Sequence, residues 1–108
     1  METLTSLENV ESFIKENDGC LIYFSTQQCN VCKILKPKIK EFIDSEFPKI
    51  KMGYVDCEDQ KEVAAQNRIF TVPTILVFFD GKEFLRKSRN INISEFRDDL
   101  SRPYSLFF

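Results

Sequence analysis

The sequence predicts an α/β domain: a central mixed β-sheet of four to five strands flanked by helices on both faces. Two observations carry that reading. Short apolar runs of strand length alternate with longer stretches whose apolar residues recur every three or four positions, the order that builds parallel strand–helix–strand units. Later in the chain Asp80-Gly81 separates two strand patterns with no helix between them, which adds an antiparallel hairpin. The 108 residues, 43% hydrophobic and 30% charged, suit one packed core rather than a disordered chain. No repeat, low-complexity tract or Gly/Ser/Pro-rich linker divides them, so residues 1–108 read as a single domain.

Ser6 caps a first helix that carries Leu7, Val10, Phe13 and Ile14 at helical spacing and stops at Asn17-Asp18-Gly19. Cys20 to Phe24 is a continuous apolar run with the length of a buried strand and the look of a central parallel one. From Cys29 onward Val31, Ile34, Leu35, Ile39, Phe42 and Ile43 trace the apolar face of a long helix ending near Phe47-Pro48. Pro37 lies inside that pattern, where its ring removes one amide donor and crowds the preceding turn, so a kink is expected. Ile50 to Val55 alternates as a strand closed by Asp56, and Gln60 to Asn67 forms a short helix around Val63 and Ala64. Thr74 to Phe79 is the strongest strand pattern; Asp80-Gly81 turns it into Glu83 to Lys87, both turn residues tolerating positive φ. A last helix is expected from Ser94 to Leu100, with Phe96 and Leu100 inward, followed by an apolar tail over 103–108. That tail is expected to dock on the domain's own surface, with a partner or second subunit as the alternative.

Composition excludes several functions. The formal net charge of −2 leaves no basic excess for gripping a phosphate backbone, so no nucleic-acid partner is expected. Histidine is absent, which removes the commonest general base and every zinc site that needs imidazole. No run approaches the roughly 20 apolar residues of a membrane helix, and Met1 to Ser6 has neither a positive n-region nor an apolar h-region. A cytoplasmic chain without membrane attachment is therefore expected. In a reducing compartment, cysteines close in sequence are more often catalytic or metal-binding than structural.

Cysteines stand at positions 20, 29, 32 and 57. Cys29-Asn30-Val31-Cys32 follows a strand pattern and opens a helix pattern. Residues three apart on one turn face the same way, with Cβ atoms about 5–6 Å apart, close to disulfide geometry. The helix N-terminus adds unpaired amide donors and partial positive charge, which favour thiolate over thiol. Cys29, at or before the first turn, is the candidate nucleophile; Cys32, one turn in and facing the protein body, is the candidate resolving thiol. The alternatives are half of a metal site, for which neither a second pair nor a His is available, or two unrelated buried cysteines. Cys20, at a strand start, is expected to be buried and inert. Cys57, at a strand end, is expected to be a small half-buried residue, with a regulatory or dimer-forming thiol as the alternative. Pro73 opens the strongest strand, where its missing donor is tolerated.

Cys29-x-x-Cys32 after a strand, Lys33 next to it, Pro37 five residues beyond Cys32, Val72-Pro73-Thr74 opening a later strand, the Asp80-Gly81 hairpin and a final helix together resemble the thioredoxin family, from about Thr3 to Leu100. The resemblance implies a thioredoxin fold and a thiol–disulfide oxidoreductase that reduces protein disulfides through Cys29 and Cys32. It implies that Val72-Pro73 is a cis peptide beside the disulfide, that the Val72 backbone pairs with an extended substrate segment, and that Pro37 kinks the active-site helix. It implies no organic cofactor and no metal, since the electrons reside on the two sulfurs. The implied partners are protein or peptide disulfides and a reductase as electron donor, acting on a monomer or weak dimer.

The sequence also departs from the best-known members, which carry Trp-Cys-Gly-Pro-Cys. Gln28 stands at the Trp, and Asn30-Val31 replace Gly-Pro. Tyr23 stands where the family commonly buries an Asp, Met52 near its partner lysine, and Arg89 near a frequent glycine on the substrate side. A specialised or divergent member is expected. A thioredoxin-fold binding module with a vestigial redox pair is the alternative, and a metal-binding protein a further one.

Overall fold

Backbone pairing joins five strands in a computed structural model that describes residues 1–108. The strands are β1 (Glu2–Thr3), β2 (Gly19–Ser25), β3 (Lys51–Asp56), β4 (Thr74–Phe79) and β5 (Lys82–Ser88); the helices are α1 (Leu7–Glu16), α2 (Asn30–Glu46), α3 (Lys61–Gln66) and α4 (Ile93–Phe107). The sheet order is β1-β3-β2-β4-β5. β1 and β2 run parallel to β3, whereas β4 is antiparallel to both β2 and β5. The Cys20–Phe24 run is thus central, as expected, but parallel on one side only.

Alternation along β2 and β4 divides the core into two layers. Leu21, Tyr23, Ile75, Val77 and Phe79 meet Ile39, Phe42 and Ile43 of α2 and Phe96 and Leu100 of α4. Cys20, Ile22, Phe24, Leu76 and Phe78 meet Val10 and Phe13 of α1 and Val63 of α3 on the other face. Both faces of the sheet are covered, which explains why these strands read as unbroken apolar runs. Local signals set the boundaries. The Ser6 hydroxyl accepts the Asn9 amide at 3.0 Å, capping α1. Asp80 and Gly81, at φ 53° and 79°, supply the positive φ that a tight hairpin needs.

Two expectations are corrected. The first residues form β1, a strand not anticipated: two exposed polar residues carry no apolar alternation and are held by backbone pairing, with the Leu4 amide donating to the Tyr54 carbonyl at 2.8 Å. The last helix does not end at Leu100. α4 runs through Pro103 to Phe107, so the apolar tail is its final turns rather than a segment beyond it. Pro103 costs the helix one backbone bond, but aromatic packing on the domain itself offsets it. Tyr104 packs edge-on against Phe47 at 4.9 Å, and Phe107 stacks on Phe79 at 5.0 Å.

Antiparallel pairing decides where the chemistry lies. Phe24 pairs with Thr74, Ser25 with Asp56, and Thr74 with Ser88. The segments after β2, after β3, before β4 and after β5 therefore gather at one end of the sheet.

Gly53 of β3 marks a close approach on the α1 side. A Cβ there would lie 2.7 Å from Leu4 Cδ1 and 3.0 Å from Phe13 Cε2. Gly53→Ala is expected to destabilise the fold by about 1–3 kcal/mol through overpacking, read as a lower urea midpoint. An unchanged midpoint would refute the close approach.

Candidate active site

The loop leaving β2 delivers Cys29 to the N-cap position of α2 and Cys32 to its first turn. The two are joined in a disulfide with Cα atoms 5.2 Å apart. Their surroundings differ. Cys29 is half-buried, and its Sγ accepts the Cys32 backbone N–H at 3.2 Å, so the sulfur occupies the place of a capping oxygen. That amide has no intrahelical partner, and together with the positive end of the helix it favours negative charge on the sulfur. Cys32 is only 2% exposed and belongs to the larger core cluster. Asn30, Val31 and Lys33 are exposed around the pair, and Pro37 lies on an exposed face with helix on both sides.

Tyr23 lies beneath the pair. Its hydroxyl donates to the Cys32 carbonyl at 2.8 Å, tying the first turn of α2 to the central strand. Burial, and then the neighbouring Tyr54, push its phenol up to about 12. Tyr23 is therefore protonated at neutral pH and has already committed its proton to a carbonyl, so it cannot serve as a base for Cys32. Tyr54 accepts the Ser25 hydroxyl at 3.0 Å and carries the Lys36 ammonium over its ring at 3.8 Å.

The Val72–Pro73 peptide is cis, and Val72 and Cys29 both pack on the cluster that contains Cys32. The Pro73 carbonyl accepts the Arg89 amide at 2.9 Å. The structure thus brings the β2–α2 loop, the Pro73 segment and Arg89 to one surface. Arg89 itself has φ 62°, a left-handed backbone that glycine adopts most readily.

One sequence expectation about the helix changes here. Val31 and Ile34, assigned by periodicity to the buried face, are 62% and 64% exposed. The buried stripe runs instead through Cys32, Ile39, Phe42 and Ile43; at 3.6 residues per turn Val31 and Ile34 lie about 100° and about 160° round the helix from Cys32, turned away from the sheet. Val31, Ile34 and Leu35 form one wall of a groove of about 450 Å³, with Arg89 and Ile91 opposite. A larger hollow of about 610 Å³ lies near Arg68, Phe70 and Arg86; no cysteine lines either hollow, and the groove adjoins the pair through Val31, the residue before Cys32. The groove was not legible beforehand, because its second wall is the irregular segment after β5.

The remaining cysteines are free. Burial pushes the Cys20 thiol up to about 12. Burial first, then the charges of Asp56 and Glu58, push Cys57 up to about 11. No group of three or more His, Cys, Asp or Glu is gathered to hold a metal ion.

A sulfur pair one helical turn apart, reaching the surface at a helix N-terminus on a mixed five-stranded sheet, defines a dithiol–disulfide redox domain. Comparison with known proteins agrees. The family model described as Thioredoxin matches residues 2–102. A thioredoxin-like protein, YdfQ of Bacillus subtilis, is 39% identical over 107 residues, covering 99% of this chain and 95% of its own. The thioredoxin of Chlamydia caviae is 35% identical over 83 residues, covering 77% and 79%. Among solved structures, Fasciola hepatica thioredoxin superposes with a TM-score of 0.84 at 29% identity, covering 94% of this chain and 98% of that one. The chain belongs to the thioredoxin family, whose chemistry is thiol–disulfide oxidoreduction.

Two outcomes are expected from these environments. At pH 8 a thiol at about 11 is thiolate in about one molecule in a thousand, against about one in ten at the ordinary value of 9.0. Iodoacetamide should therefore alkylate Cys57 about a hundredfold more slowly in the folded oxidised protein than in urea; equal rates would contradict the burial. Tyr23→Phe should cost about 1 kcal/mol of stability and leave the pH profile of exchange in place. A profile displaced by a full pH unit would put the phenol in the proton path.

Proposed function

We propose that this protein reduces protein disulfides, with Cys29 as nucleophile and Cys32 as resolving thiol. The observation that carries the reading is the asymmetry of the pair: Cys29 Sγ is half-buried and caps α2, whereas Cys32 is enclosed. The Cys29 thiolate attacks one sulfur of a substrate disulfide, forming a mixed disulfide and releasing the other substrate sulfur as a thiolate that takes up a proton. Cys32 then loses its proton and attacks Cys29 Sγ. The Cys29–Cys32 bond forms, the mixed disulfide breaks, and the second substrate thiol leaves. Two electrons have passed to the substrate, and a dithiol reductase must return two electrons to the pair.

Val72 is proposed to hold the substrate backbone as an added strand. Its own N–H and C=O take no part in the turn and loop hydrogen bonds, which leaves them available for such pairing. The protein is proposed to work in a reducing compartment such as the cytoplasm, where cysteines close in sequence are more often catalytic than structural. A monomer or weak dimer is proposed.

Insulin reduction with dithiothreitol, followed by turbidity, tests the reading. Wild type should shorten the lag severalfold, Cys29→Ser should behave as the uncatalysed control, and Cys32→Ser, reduced and then freed of dithiothreitol before insulin is added, should accumulate a mixed disulfide at Cys29. If wild type and Cys29→Ser are indistinguishable, the protein is a binding module that retains an idle pair.

A further inference from the structure

We propose that the site selects acidic disulfide substrates: an apolar side chain beside the substrate cysteine sits in the groove that Val31 joins to the redox pair, and a carboxylate just beyond it is met by Arg89 and Lys38. This rests on the oxidoreductase reading above and names the substrate class for the same site.

Three observations point to that class. The groove is about 450 Å³, and its apolar lining comes from Val31, Ile34, Leu35 and Ile91. Val31 and Ile34 are large aliphatic groups that stay more than half exposed beside the redox pair, a cost in water that a bound apolar side chain would remove. The groove's charged members are Lys38 and Arg89 alone.

Charge around the groove runs against the chain as a whole. The formal net charge is −2, yet residues 30–40 carry Lys33, Lys36, Lys38 and Lys40 and no acid. Lys40 pairs with Asp44, and Lys36 lies over Tyr54. Lys33, Lys38 and Arg89 are in none of the ion pairs, which join Lys40, Arg86, Lys87 and Arg97 to their acids. Glu41, three residues after Lys38 on α2, lies with Pro37, Lys40 and Asp44 outside the groove lining. Asp56 ends β3 and Glu58 and Asp59 follow it, on the far side of β2 from β4, and Asp56 is occupied by the Glu58 and Asp59 amides. Glu95, at the start of α4, is paired with Lys87.

Arg89 adds a backbone argument. A non-glycine residue at φ 62° is held in a sparsely populated region. Its amide is bonded to the Pro73 carbonyl, so the segment that carries the guanidinium is fixed to the proposed substrate-binding strand. An unpaired guanidinium there meets a carboxylate in a fork geometry and steers negatively charged partners from a distance.

The test uses three synthetic peptide disulfides that differ in one residue: cysteine, leucine, then Glu, Gln or Lys. Pre-reduced wild type is mixed with each at about 20 mM and about 500 mM salt, where screening lengths differ several-fold. At low salt the Glu peptide should react about tenfold faster than the Lys peptide, with Gln between, and the spread should collapse at high salt. Arg89→Asn, which tolerates the left-handed backbone, combined with Lys38→Gln on the exposed helix face, should bring the Glu and Lys peptides within about twofold. Equal wild-type rates on all three peptides at low salt overturn the selectivity and leave the oxidoreductase reading standing. Persistence of the spread in the double variant overturns the assignment to these two residues. No reduction of even the neutral Gln peptide overturns the reading itself, and the selectivity with it.

Discussion

The antiparallel pairing of β2 with β4 is the constraint on which the site depends. It sets Thr74 opposite Phe24, so the chain enters β4 where it has just left β2. Were the two strands parallel, the six residues of β4 would carry Val72 and Pro73 to the opposite end of the sheet, about 20 Å away at 3.3 Å per residue. Parallel pairing of β2 with β3 adds the Asp56 segment to the same end, and the β4–β5 hairpin returns Arg89 to it. These strand directions thus assemble sulfur, proline and guanidinium from three separate stretches of sequence.

Within that assembly, activation comes from the helix rather than from a side-chain base. The Sγ of Cys29 takes a capping amide, and the helix end supplies about half a unit of positive charge. Nothing comparable acts on Cys32, which faces the core and Tyr23. The two sulfurs therefore sit in different surroundings: Cys29 caps the helix and is half-buried, Cys32 is enclosed. That difference gives the proposed exchange its order of attack.

Much of this was legible from residues alone because the governing signals are local. The Asp80-Gly81 turn, the Ser6 cap, the run from Thr74 to Phe79 and the Cys29-x-x-Cys32 spacing each act over a few positions, and each stands where the pattern placed it. What escaped depends on distant partners. β1 exists through backbone bonds to β3, which leave no side-chain pattern at Glu2 and Thr3. The last turns of α4 survive Pro103 because Phe47 and Phe79, far away in sequence, receive Tyr104 and Phe107. The exposure of Val31 and Ile34 follows from which side of α2 faces the sheet, the side that carries Cys32, Ile39 and Ile43. Helical periodicity reports that a face is apolar, and the neighbouring layer decides whether it is covered.

The core also explains how a domain can carry a reversible bond without depending on it. The disulfide spans a sequence separation of 3, so it removes little freedom from an unfolded chain compared with a link across a long loop. Folding rests instead on two clusters of 14 and 10 buried residues, one on each side of the sheet. Cys32 joins the first of these, while Cys29 only packs against its edge. The first turn of α2 is held through the Tyr23 hydroxyl and the Cys32 carbonyl, a contact that involves neither sulfur. Breaking the bond between sulfurs therefore leaves the anchor of that turn and both core layers in place. Because the link closes so short a loop, little of the sulfur–sulfur bond's energy goes to keeping the chain folded, and the bond is left for exchange.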